Sequence, residues 1–378
     1  MRDSDGALRA VVVGAGPAGL ACAALLREAG VEAQVLERAD QVGDTWRRHY
    51  ERLRLHTVRW LSHLPGWPIP REYGAWVSRA DFVAYLEEYA RRNRLRIEHG
   101  TAVTGIAERS GRWRLETSRG ALEAEHVVVA TGLNRTPAMP PWPGRAGYRG
   151  ELLHAAEYRN AAPYRNRDVL VVGAGNSGAE IALDLLEGGA RRVRVAVRRP
   201  PNILRREIAG IPTQAMASLL RPLPPALKDS CLALFQRMTV GGLERFGLPR
   251  PARGVYTQVV REHSIPIVDT GFVAAVRQGR IAIVPAVRDL QGEEVLLEDG
   301  SRLRPEATVA ATGYRPGLEE LLGGLGVLSP DGRPPADGLR GLHFIGFTNS
   351  IEGNLRRIGS EARRIARSIG RNGASGRR

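Results

Sequence analysis

Gly14, Gly16 and Gly19 follow the apolar run Val11–Val13, and Gly173, Gly175 and Gly178 follow Val171–Val172 in the same spacing. The chemistry of Gly-x-Gly-x-x-Gly is backbone chemistry. Its first glycine permits a tight turn, its second lets the main chain approach a pyrophosphate, and its third lets helix and strand pack closely. The N–H groups opening the helix then offer phosphates unpaired donors and a positive dipole end.

The residues that close each unit set the two apart. Ala33–Leu36 ends at Glu37, where an acid accepts hydrogen bonds from both ribose hydroxyls and repels a 2′-phosphate. FAD or NAD suits that position better than NADP. Val193–Val197 ends instead in Arg198-Arg199, a guanidinium pair able to hold a 2′-phosphate through charge-assisted bonds, which points to NADPH. One acidic and one basic site together describe a flavin and its hydride donor.

These residues require two strand–turn–helix–strand units. The first is read as strand Arg9–Val13, helix Leu20–Ala29 and strand Ala33–Leu36; the second as Asp168–Val172, Ala179–Leu186 and Val193–Val197. The fold class is therefore α/β, with two Rossmann-like dinucleotide-binding domains.

Composition agrees with a globular chain of two or three domains: 378 residues, 43% hydrophobic and 25% charged. A net charge of +15 invites a nucleic-acid reading, but Lys228 is the only lysine among 55 basic residues. That skew fits codon bias in a GC-rich genome, and no basic, aromatic-rich stripe accompanies it, so no nucleic-acid partner is expected. Cys22 and Cys231 stand far apart, which fits free thiols in a reducing, cytoplasmic setting. The apolar stretch Ala10–Leu26 is broken by glycines and is read as strand–turn–helix, with no membrane span. His49, His56 and His63 recur every seven residues, yet no carboxylate or cysteine joins them at ligand spacing, so no metal is expected. The absence of Cys-x-x-Cys argues against a disulfide reductase on the same plan.

Further motifs carry a family resemblance. Tyr148-x-Gly150-x-x-x-His154-x-x-x-Tyr158 lies just ahead of the second glycine turn, and Val42-Gly43-Asp44-Thr45-Trp46 follows Glu37. With LRLHTVRWLSHLPGWPIP at Leu53–Pro70, Asp81–Arg92, Ala311-Thr312-Gly313-Tyr314 and Gly341–Ile369, the chain resembles the flavin-containing monooxygenases. Within them it is most similar to the YUCCA-type enzymes; Tyr158-Arg159 departs from the Trp-Pro ending of the Baeyer–Villiger branch. Tyr148 replaces the usual Phe, and Asp44 stands where a second glycine is usual. His56 occupies the place of an Asn found in heteroatom-oxidising members.

The resemblance implies an NADPH-dependent FAD monooxygenase that forms a C4a-(hydro)peroxyflavin and inserts one oxygen atom into a small molecule. Two outcomes stay open: N- or S-oxygenation of a specialised metabolite, or oxidative decarboxylation of an aryl 2-oxo acid such as indole-3-pyruvate. A flavoprotein oxidoreductase without oxygen insertion and a non-catalytic flavin or NADPH sensor are the alternatives. Catalytic candidates are His56, Thr57 and Asn349. Beyond the glycines, Glu37, Arg198 and Arg199, the cofactor-binding candidates are Arg38, Trp46, Val103, Thr131, Gly132, Asn176, Ser177, Thr312, Gly313 and Gly346. His154 and Tyr158, four apart, would share a face if helical, or would organise the link between the domains.

The implied organisation is an FAD domain over 1–155 that returns over 301–370, with an inserted NADPH domain over 156–300. Residues 201–266 are expected to form a helical excursion over the substrate pocket, and 371–378 a disordered tail. Ser301–Arg304 and Leu342–Ile345 are expected as strands of the flavin sheet. A homodimer stays open.

Overall fold

The structure, a computed structural model, describes residues 8–220, 222–262, 264–350 and 353–375. Strand Leu8–Val13 is apolar and almost wholly buried, so it takes an inner place in a seven-stranded sheet. Ala33–Leu36 pairs with it in parallel on one side and Gly120–Val129 on the other. Val103–Arg109 and Arg112–Thr117 extend Gly120–Val129 as an antiparallel meander. From far along the chain, Leu342–Phe344 returns to lie parallel to Val127–Val129. Helix Pro17–Glu28 shares one core with the final helix, Asn354–Ser375, through Leu20, Leu26, Ile358 and Ile365.

A second, five-stranded sheet repeats the plan. Its order is Ile281–Pro285, Arg192–Val197, Asp168–Val172, Ala307–Ala310 and Glu151–His154, all parallel. Helix Asn176–Glu187 follows its glycine turn. An antiparallel meander of Val287–Gln291, Glu294–Leu297 and Arg302–Leu303 completes the unit.

Three expectations need correction. The second sheet takes Glu151–His154 and Ala307–Ala310, so its borders lie outside 156–300 on both sides. Arg302–Leu303 belongs to the second unit's meander and not to the flavin sheet. The final helix runs on to Ser375, through most of the expected tail, and residues 376–378 lie outside the described residues.

The excursion is mixed. It holds helices Thr213–Leu219, Pro225–Thr239 and Val255–Glu262, but it opens on strand Ile203–Arg205, which pairs in parallel with Ile267–Asp269 where it closes.

Two crossings link the units side by side, where Thr136–Pro137 pairs antiparallel with Tyr314–Arg315. His154 locks this place. It ends a strand, so the shared helical face with Tyr158 does not exist. Its Nδ1 accepts from Ala156 N at 3.1 Å, which leaves Nε2 to donate to Gly313 O at 3.0 Å. Thr312 Oγ1 donates to Ala138 O at 2.7 Å, and Ala138 N donates to Gly313 O at 3.0 Å.

Candidate active site

Each glycine turn shows which positions are packed and which are open. A Cβ on Gly14 would sit 2.8 Å from Ala130 O, and one on Gly19 1.9 Å from Gly14 O. In the second turn a Cβ on Gly173 would sit 2.5 Å from Ala311 O, and one on Gly178 1.9 Å from Gly173 O. Gly14 and Gly173 share a φ of 109°, where a side chain is strained. Gly16 and Gly175 have no atom within 4 Å of an added Cβ. Neither following helix carries a side-chain N-cap bond, so its first N–H groups remain available to an anion. Both cradles fit a dinucleotide pyrophosphate.

A cavity of about 1020 Å³ extends from the first turn to the start of the second unit's helix at Asn176 and Ser177. Glu37 is buried in its wall. Its Oε2 accepts from Ala15 N at 2.7 Å and its Oε1 from Ala39 N at 3.0 Å. Because a carboxylate offers about four lone-pair sites, both oxygens keep capacity for ribose hydroxyls. Arg38, Trp46, Val103, Thr131, Gly132 and Gly346 also line the wall. Thr131 Oγ1 is buried without a partner among the described residues, a group that a bound cofactor would satisfy. Trp46 is fixed edge-on to Phe82 at 4.6 Å. Asp44 suits its position: Gly43 takes the left-handed turn at φ 69°, and Asp44 opens helix Asp44–Arg48 with an ion pair to Arg48 at 2.8 Å.

Gly19, Gly173, Gly175, Gly178, Arg198, Arg199, Thr312 and Gly313 lie outside this wall. Thr312 Oγ1 and Gly313 O are engaged at the crossing described above. Asn176 lines the cavity but its side chain is tied down, donating to Pro266 O at 3.0 Å and accepting from Val268 N at 2.8 Å. Arg198 and Arg199 are exposed at the end of strand Arg192–Val197, without an ion pair among the described residues.

The catalytic candidates gather at the junction of the units. His56 Nε2 is 2.9 Å from Glu180 Oε1, and Tyr50 donates its hydroxyl to Glu180 Oε2 at 2.6 Å. Glu180 is buried in the helix of the second turn, while Tyr50 and His56 come from the first unit. Burial and the Glu180 charge push the Tyr50 hydroxyl well above its ordinary pKa, so it stays a proton donor. Asp184 and Glu187 continue the same helix face, accepting from Tyr158 at 2.7 Å and pairing with Arg52. Thr57 Oγ1 pairs with Ser62 Oγ, which also reaches the carbonyls of Thr57 and Val58 at 3.0 Å. Asn349 lines the cavity, its Oδ1 accepting from Asn354 Nδ2 at 3.2 Å.

A family model described as pyridine nucleotide-disulphide oxidoreductase matches residues 11–207. The indole-3-pyruvate monooxygenase YUCCA1 of Oryza sativa subsp. japonica is 37% identical over 372 residues, spanning 95% of this chain and 91% of that protein. The probable indole-3-pyruvate monooxygenase YUCCA8 of Arabidopsis thaliana is 35% identical over 379 residues, spanning 95% and 88%. The chain belongs to the flavin-containing monooxygenases, in their YUCCA-type branch. It is a flavin-dependent monooxygenase with FAD and NADPH as its cofactors. A solved flavin-containing monooxygenase from Stenotrophomonas maltophilia shares the fold, with a TM-score of 0.75 at 23% identity over 97% of this chain and 99% of that one.

The disulphide chemistry in the matching model's description has no counterpart in this monooxygenase. Cys22 is buried, its thiol pushed up to about 12 by desolvation, and Cys231 is exposed elsewhere. Sequence reasoning missed Tyr50 and Glu180. The available signal was Glu180, Asp184 and Glu187 at helical spacing, an acidic face that needs partners once buried. It also missed His49 on the cavity wall. Burial, with Arg79 and Arg159 close by, lowers the His49 imidazole to about 4, so it is neutral at physiological pH. Among the described residues no helix is long and apolar enough to cross a membrane.

Proposed function

We propose that this monooxygenase catalyses the oxidative decarboxylation of an aryl 2-oxo acid. The 2-oxo acid, O₂, NADPH and a proton give the carboxylic acid one carbon shorter, CO₂, water and NADP⁺. The single observation that favours this reading is His56, an imidazole held by a buried carboxylate on the cavity wall, where heteroatom-oxidising members place an amide. The names of the relatives sharing more than a third of its residues agree with it.

The flavin would supply electron transfer from NADPH and the activation of O₂. The chain's own residues would bind, orient and shield. The open faces at Gly16 and Gly175 would receive the two pyrophosphates, Glu37 the flavin-side ribose, and Arg198 with Arg199 the 2′-phosphate of NADPH. With Nε2 of His56 committed to Glu180, Nδ1 is the atom left to take or give a proton. Trp46, Leu55 and Val103 would keep water from the reacting centre.

Rapid mixing tests the reading. The anaerobic enzyme is reduced with NADPH, then mixed with O₂ and an aryl 2-oxo acid. The expected result is one CO₂ and one shortened acid per NADPH, with a transient spectrum distinct from oxidised and reduced flavin. Stoichiometric hydrogen peroxide with every 2-oxo acid would overturn it. Turnover of amines or thioethers alone would assign N- or S-oxygenation instead.

A further inference from the structure

We infer that Arg206 anchors the carboxylate of the organic substrate, which deepens the reading above by giving that carboxylate a named partner. Arg206 follows strand Ile203–Arg205 and lines the cavity beside Arg54, His56, Thr57 and Thr213. Its guanidinium is half-buried, and its Nε is fully buried with no hydrogen-bond partner among the described residues. No ion pair engages it among the described residues. Burial lowers its pKa most, Glu207 and then Glu180 pull the other way, and Arg54 adds a smaller lowering. A half-buried guanidinium whose buried Nε has no partner among the described residues is incompletely satisfied, and an anion entering the cavity would complete it.

The other arginines of the wall differ. Arg135 is committed to Gly317 O and Glu320, and Arg333 to Asp331 and Phe347 O. Arg38 and Arg205 are exposed. Arg206 is also held in place. Its guanidinium lies 4.7 Å from the centre of the Trp76 ring, whose Nε1 donates to Glu207 at 3.0 Å. Arg54 donates to Trp76 O at 3.0 Å from the same side. A planar, oriented guanidinium suits a carboxylate, which it can grip with two parallel bonds. Thr213 Oγ1, buried and without a partner in the same wall, is a further free donor. Dinucleotide phosphates have their own places at the two uncapped helix starts, so the substrate is the anion left for Arg206.

Binding measurements on the FAD-loaded protein test this without turnover, using phenylacetate, its neutral amide phenylacetamide, and NADP⁺ in calorimetric titrations. Arg206→Gln is expected to weaken phenylacetate roughly 10- to 100-fold and phenylacetamide less than about 2-fold. Arg206→Lys, which keeps the charge without the planar fork, is expected to fall between and covers the case in which Gln fails to fold. Equal weakening of acid and amide, or of neither, overturns the inference. A larger loss for NADP⁺ than for phenylacetate also overturns it and assigns the guanidinium to the dinucleotide. If Arg206 governs acid binding but no 2-oxo acid is decarboxylated, the proposed reaction falls and the anchor stands.

Discussion

At Gly14 and Gly173 the backbone takes the same φ of 109°, and at Gly19 and Gly178 an added Cβ meets the same carbonyl at 1.9 Å. The two turns are one device used twice, down to the antiparallel meander that follows in each unit. What surrounds them differs. The first turn lies in the cavity wall, and its second strand delivers a buried acid already bonded by two backbone N–H groups. The second turn reaches that wall through Asn176 and Ser177 while its three glycines lie outside it, and its strand ends in two exposed arginines. Glycines fix that a dinucleotide binds, and the residue ending the next strand selects which one. A buried acid in a cavity wall suits a cofactor that stays enclosed, and exposed arginines suit one that must come and go.

The largest break in that comparison is expected at the third glycines. Gly19→Ala forces a methyl into a backbone carbonyl in a packed core, and overpacking of this kind costs about 1–3 kcal/mol or more. If the same turn holds FAD as proposed, the protein should be recovered without flavin, which absorbance of the purified protein checks. Gly178→Ala should retain flavin yet slow its reduction by NADPH by roughly two orders of magnitude, read by stopped flow. Gly16→Ala and Gly175→Ala meet open space and should leave thermal stability of the flavin-free protein within about 0.5 kcal/mol while weakening their cofactors. Equal behaviour of middle and third glycines would refute the division of labour.

The turns, their strands and Glu37 were legible in the sequence because backbone geometry there depends on residue type alone. Leu342–Phe344 was legible as a strand and even as a member of the flavin sheet. Arg302–Leu303 was not, since two residues of β-pattern do not say which sheet they join, and the meander of the second unit decided it. His154 and Tyr158 showed the same limit: a spacing of four suggests a helix, but His154 ends a strand, bonded locally to Ala156 N and across the crossing to Gly313 O. The junction itself was least legible. Tyr50, His56 and Glu180 are separated by up to 130 positions, and only packing of one unit on the other reveals that they share a carboxylate.

Glu180 sharpens the comparison because it is the second turn's helix speaking to the first unit. Glu180→Ala leaves a buried tyrosine hydroxyl without its charged acceptor, and loss of such a bond costs roughly 2–3 kcal/mol. Denaturant unfolding should show that loss, with Glu180→Gln costing less because its amide oxygen still accepts. Smaller again is the effect on cofactor choice. Replacing Arg198 and Arg199 together with alanine should weaken NADPH roughly 10- to 100-fold and leave NADH little changed. Equal loss of both would remove the arginines from the 2′-phosphate site.

The smallest effect at neutral pH is proton uptake by two histidines of the first unit. His343 lies inside the flavin sheet, where burial, then His126 and Arg364, lower its imidazole to about 4. His49 lies at the junction and is lowered to about 4 as well. Between about pH 6.5 and pH 4 the unfolded chain therefore binds protons at these positions that the folded chain refuses, so stability falls as pH is lowered through that window and is flat above it. Each histidine contributes a loss of about 2.5 kcal/mol at pH 4.5, since tenfold differences in proton affinity are each worth about 1.4 kcal/mol. His343→Leu should remove one such contribution, flattening the acid limb of stability against pH while changing little at pH 7.5. Its imidazole Nε2 is buried without a partner, so the apolar replacement leaves no bond broken. An acid limb as steep as that of the unsubstituted protein would show that His343 takes up its proton in the folded state and that the flavin sheet is more open there than its packing implies.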